Sequence, residues 1–83
     1  MKEIAYSKDA LKTLRRLPAN DAERIVAKVE QFARDPKSLA NNIKALAGSS
    51  FIRLRVGDWR VIMDDDGVVL AVIKIGPRGS VYE

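Results

Sequence analysis

The 83-residue sequence contains no cysteine and no histidine. Without thiols there is neither a disulfide framework nor thiolate chemistry. Without imidazole, the commonest general base and the commonest zinc ligand are both lost, which argues against a zinc site. No apolar run is long enough to span a bilayer, and the opening Met1–Tyr6 stretch lacks the apolar core of a signal peptide. A soluble cytoplasmic protein with no membrane partner is therefore expected. Nothing in the chain calls for a cofactor or a metal.

What the chain does contain is one small domain over residues 1–83, too short for two independent cores. An apolar fraction of 47% is ordinary for a globular protein and excludes disorder as the default. The formal charge of +4, with a pI near 9.7, suits an acidic partner such as nucleic acid or an acidic protein segment.

Apolar periodicity divides the chain into elements. Lys2–Tyr6 alternates and reads as an edge strand. Ser7 is placed to cap a helix by accepting a backbone N–H. Ala10, Leu11, Leu14 and Leu17 then recur at helical spacing, with Lys8, Lys12, Arg15 and Arg16 on the remaining surface. Pro18 ends that helix. A second begins with Asn20 or Asp21 as cap and carries the stripe Ala22, Ile25, Val26, Val29, Phe32, Ala33 until Asp35-Pro36. Residues 37–50 read as a loop in which Ile43–Leu46 docks locally. Strands follow at Phe51–Val56, Trp59–Met63 and Val68–Ile75, the last continuously apolar enough for a strand covered on both faces. The expected fold is α+β: a short N-terminal strand, an antiparallel helical hairpin, then a three-stranded antiparallel sheet with the helices on one face.

The segment Phe-Ile-Arg-Leu-Arg-Val-Gly-Asp-Trp-Arg, residues 51–60, is a hairpin with Gly57-Asp58 at the turn. If Val56 pairs with Trp59, Arg55 lies opposite Arg60 and Leu54 opposite Val61. Arg53, Arg55 and Arg60 then share one face, and Leu54, Val56, Trp59 and Val61 the other. Like charges directly opposite one another destabilise a sheet, so this face suits an anion. Asp64-Asp65-Asp66-Gly67 is a turn, whose consecutive carboxylates diverge too much for a metal site.

This element order, with Arg-Leu-Arg-Val-Gly-Asp-Trp-Arg-Val-Ile and then Ile-Gly-Pro-Arg-Gly-Ser-Val-Tyr, resembles the RelE/ParE superfamily of toxin–antitoxin toxins. It looks closest to the RelE branch, whose members cut messenger RNA on the ribosome; ParE-like toxins use the same scaffold to poison DNA gyrase. The resemblance implies catalytic roles for Arg60, Arg78 and Tyr82. One of the family's two strand lysines falls on Arg53 and the other on Phe51. The histidine of many relatives falls on Pro77, and the family's C-terminal helix has no counterpart before Glu83.

In the implied reaction the ribose 2′-hydroxyl attacks the adjacent phosphate, leaving a cyclic phosphate and a free 5′-hydroxyl. Arg60 is the first choice for the phosphate, because a guanidinium fork meets two phosphate oxygens. Arg78 is second, near the leaving oxygen. Arg53 holds its proton too tightly to be an easy base, and Tyr82 stacks on a base or joins proton transfer if cations lower its pKa. Arg55, Lys12, Arg15, Arg16 and Lys74 are candidate RNA contacts. Plainer readings stand beside these: solvated strand and helix faces for the basic residues, loop fixation for Arg78, and packing for Tyr82. The implied partners are the ribosome, mRNA and a cognate antitoxin, whose partly disordered acidic segment wraps the toxin in a hetero-oligomer and fills the place of the missing helix. The alternatives are a ParE-like gyrase inhibitor without nuclease activity, or a non-toxic homologue that only binds antitoxin.

Overall fold

A computed structural model describes residues 1–80 of the chain. Its elements run β1 (Glu3–Tyr6), α1 (Lys8–Arg16), α2 (Ala19–Arg34), a 3-10 segment (Pro36–Asn42), β2 (Ile43–Ala45), β3 (Phe51–Val56), β4 (Trp59–Asp65) and β5 (Val69–Pro77). The strands form a single sheet in the order β1-β5-β4-β3-β2. All neighbours are antiparallel except β1 and β5, which run parallel. A parallel pair cannot be joined by a tight turn, and the helices lie within the long connection between these two strands.

Both helices pack on one face of the sheet. Ala10 from α1 and Ile25, Val29, Phe32 and Ala33 from α2 join Leu54, Val56, Val61, Met63, Leu70, Val72 and Ile75 in one core. Trp59 packs against that core half-buried, as its parity in the hairpin requires. The expected register is present pair by pair: Val56 opposite Trp59, Arg55 opposite Arg60, Leu54 opposite Val61. Ser7 caps α1, its Oγ accepting the Ala10 N–H at 3.0 Å.

Four local expectations need correction. Asp64 and Asp65 belong to β4, paired with Ala71 and Leu70, so the turn is shorter than 64–67. The second helix starts at Ala19 with Pro18 at its N-cap, and neither Asn20 nor Asp21 caps it. Proline's fixed φ and missing N–H suit a helix entrance, so one residue both ends α1 and admits α2. Residues 37–50 are not merely loop. The 3-10 segment buries Leu39, and Ile43–Ala45 pairs with β3, so the sheet has five strands. Finally, β5 is interior in strand order but is not covered on both faces. Leu70 and Val72 are buried, whereas Val69, Ala71 and Ile73 are half-buried and Val68 is 70% exposed. Among the described residues the sheet thus has one helix-covered face and one that no helix covers.

Candidate functional site

Directly opposed residues of an antiparallel pair point to the same face, so the register sorts the uncovered face into transverse rows. One row reads Lys44, Arg53, Ile62, Lys74 across β2, β3, β4 and β5. The next reads Arg55, Arg60, Gly76. Five cations therefore occupy two neighbouring rows, and Gly76 adds no side chain beside Arg60. Asp64, opposite Phe51, is the acidic residue that follows on β4.

Arg60 is only 9% exposed. Its Nη1 donates to the carbonyl of Gly57 at 2.9 Å and to that of Trp59 at 3.0 Å. The side chain thus folds back over the hairpin turn and is held there. Nη1 is committed to these carbonyls; Nη2 and Nε carry its three other N–H groups. Gly57 needs its glycine, with φ at +58° and a Cβ there only 3.3 Å from Nη2 of Arg24. Arg24, from the second turn of α2, thus lies beside the same turn, while itself pairing with Asp21 at 3.3 Å.

Arg78 reaches this end of the sheet through its backbone. Its N–H donates to the Asp58 carbonyl at 2.8 Å, just beyond the Trp59–Pro77 pairing, and its side chain is exposed. The structure therefore brings Arg60, Arg55 and Arg78 to the Gly57-Asp58 turn. Arg53 and Lys74 lie in the adjacent row. Tyr82 lies outside the described residues. Lys12, Arg15 and Arg16 are exposed on α1, on the helix side of the sheet, so they do not share a surface with Arg60. They would have to contact any ligand separately.

Sequence reasoning missed three residues here. Lys44 belongs to a three-residue strand, too short for alternation to show. Asn42, whose Nδ2 donates to the Arg55 carbonyl at 3.3 Å, ties the 3-10 segment to β3. Arg24 is a helix-surface residue by periodicity, and only the tertiary approach to Gly57 gives it a role. A hollow of about 280 Å³ opens between β2 and β3, lined by Asn41, Asn42, Ile43, Lys44, Arg53 and Arg55.

Away from this face, Tyr6 is the anomalous group. Its hydroxyl is buried with no hydrogen-bond partner among the described residues. Burial, with a smaller contribution from Glu30, pushes its pKa above the usual tyrosine range.

Residues 4–82 match the family model of the ParE toxin of type II toxin–antitoxin systems, parDE. The chain belongs to the ParE toxin family. The match also bears out the RelE/ParE superfamily expected from the hairpin and tail. No curated protein matches the sequence. Solved structures share the ParE-family fold at low identity. RelE in the archaeal RelE–RelB complex from Pyrococcus horikoshii OT3 is 24% identical, with a TM-score of 0.78, over 96% of this chain and 98% of that one. The isolated E. coli RelE toxin is 24% identical, with a TM-score of 0.75, over 99% and 92%. The YoeB/ParE toxin from Agrobacterium tumefaciens is 17% identical, with a TM-score of 0.75, over 92% and 98%. Among the described residues no helix is long and apolar enough to cross a membrane.

Proposed function

We propose that this ParE-family toxin is an endoribonuclease that cuts translated mRNA on the ribosome and so arrests translation. The observation that carries this reading is the helix-free sheet face, where Lys44, Arg53, Arg55, Arg60 and Lys74 stand in two adjacent rows. Opposed cations such as Arg55 and Arg60 destabilise a sheet unless an anion lies between them, and RNA supplies one phosphate per nucleotide. In the reaction, the 2′-oxygen forms the new bond to phosphorus as the bond to the 5′-oxygen breaks. The 2′-proton leaves to a base and the 5′-oxygen gains a proton. Arg60 stabilises charge on the phosphoryl oxygens through Nη2 and Nε, while its Nη1 bonds fix the guanidinium before RNA arrives. Arg78, whose backbone N–H is tied to the same turn, serves the leaving oxygen.

No histidine is present in the chain to take the proton. The acceleration therefore rests on positioning and charge stabilisation, with the ribosome constraining the RNA. An antitoxin completes the proposal, since the P. horikoshii and E. coli relatives were solved as RelE–RelB complexes. Its acidic segment would cover the basic face, and co-elution of the purified pair tests that.

A gyrase-inhibiting reading is favoured by one observation, the match of residues 4–82 to the ParE toxin family model. Primer-extension mapping after induction separates the two. Cuts within translated messages, lost in Lys74→Gln and Arg60→Ala, are expected. Intact messages in arrested cells would overturn the nuclease reading, and an SOS response with DNA breaks would select gyrase. Unimpaired growth without antitoxin would point to a non-toxic antitoxin-binding homologue.

A further inference from the structure

Of the β2–β3 hollow, the Lys44–Arg53 row lies about two residues along the strand from Arg60, roughly 7 Å, with Lys44 also two strands away, roughly 10 Å across, whereas Arg55 lies directly opposite Arg60 and joins the two. Lys44 is paired directly with Arg53, and Arg55 follows on the same face. Its lining contains three cations, two carboxamides and no carboxylate. Among the described residues, neither Lys44 nor Arg55 takes part in an ion pair. The hollow is also braced. Asn42 holds the 3-10 segment against β3 through the Arg55 carbonyl, so the wall carrying Asn41 is fixed relative to the arginines. At about 280 Å³ it lies just below the range of drug-sized pockets, a fit for one nucleotide unit.

We infer that this hollow is a flanking-nucleotide subsite for single-stranded RNA. Lys44 and Arg55 hold a phosphodiester beside the one at Arg60, and the Asn41 carboxamide, with both donors and an acceptor, reads an edge of the attached base. The inference rests on the ribonuclease reading for the identity of its ligand. It adds a cause for sequence preference that the Arg60–Arg78 cluster, made of cations alone, does not supply.

The test measures fluorescence anisotropy of labelled single-stranded hexaribonucleotides with the full 83-residue chain over a range of salt concentrations. Lys44→Gln, an exposed position, should weaken every hexamer roughly five- to tenfold and make the log–log salt dependence shallower by about 0.7, the loss of one phosphate contact. Asn41→Ala should leave that slope unchanged and reduce the difference in affinity between hexamers of different base composition. Thermal melts of both variants should match the parent. Wild-type affinity and slope for Lys44→Gln would overturn the subsite. Cell cut-site mapping fails separately: hexamer binding that depends on Lys44 without mRNA cleavage sinks the nuclease reading and keeps the subsite. Cleavage with Lys44-independent binding does the reverse.

Discussion

At the scale of single residues, Arg60 is both a phosphate candidate and a structural clasp. Replacing it with alanine removes two hydrogen bonds to backbone carbonyls from a side chain only 9% exposed. Arg60→Ala should therefore cost about 1–2 kcal/mol of stability besides its effect on cleavage, because two part-buried bonds from a charged donor are lost. Urea unfolding of the variant checks this, and an unchanged midpoint would show the carbonyl bonds to be idle. For the same reason Lys74→Gln, exposed in the neighbouring row, is the cleaner probe of the face. Tyr6 presents the opposite case. Its hydroxyl is buried without a partner among the described residues, so Tyr6→Phe should be neutral or stabilising by up to about 1 kcal/mol. A lowered melting temperature would mean that the hydroxyl is satisfied after all.

At the scale of elements, Ser7 joins a helix to a strand. Its Oγ accepts the Ala10 N–H and donates to the Ile73 carbonyl at 2.7 Å, at the point where β5 carries its register shift against β4. Ser7→Ala loses the cap and leaves that carbonyl without its bond, a cost of about 1–2 kcal/mol by chemical denaturation. Ser7→Thr should recover part of it. The cap was legible in the sequence because Ser followed by a helical apolar stripe is a local signal. The β3–β4 hairpin was legible for the same reason, with turn and alternation lying within ten residues. β2 was not. Three residues between a kinked 3-10 segment and a Gly-Ser loop carry no period, and pairing with β3 alone defines them as a strand. Pro18 misled in another way: its helix-stopping role was plain, but whether it also opened α2 depended on geometry rather than pattern. Of the site, Arg60 and its arginine neighbours were visible through parity. Lys44, Asn42 and Arg24 depended on contacts between distant segments.

At the scale of the whole molecule, the sheet separates a helix-covered apolar face from a basic one, and the N-terminal end of the chain is tied to the end of β4 by charge. Lys2 bonds Asp65 across β5, and its N–H reaches the Ala33 carbonyl at the end of α2, so one residue links β1, α2 and β4. Burial alone would push the Asp65 carboxyl up, but the Lys2 ammonium and the Gly67 N–H outweigh it and hold the group below its ordinary 3.8. Asp66 is lowered too, first by the Val69 N–H and then by that of Val68. A carboxylate whose folded pKa is depressed stabilises the native state above its unfolded value. That contribution is lost as pH falls through the folded value. Stability should thus be level from neutral pH down to about 5 and decline below 3.8. Lys2→Met should lower the melting temperature at pH 7 while converging with the parent at pH values below that decline, where Asp65 is protonated in both proteins. Melting temperatures measured in parallel over that range decide the matter. A Lys2→Met deficit as large in acid as at neutrality would assign the effect to packing of the lysine stem rather than to the ion pair.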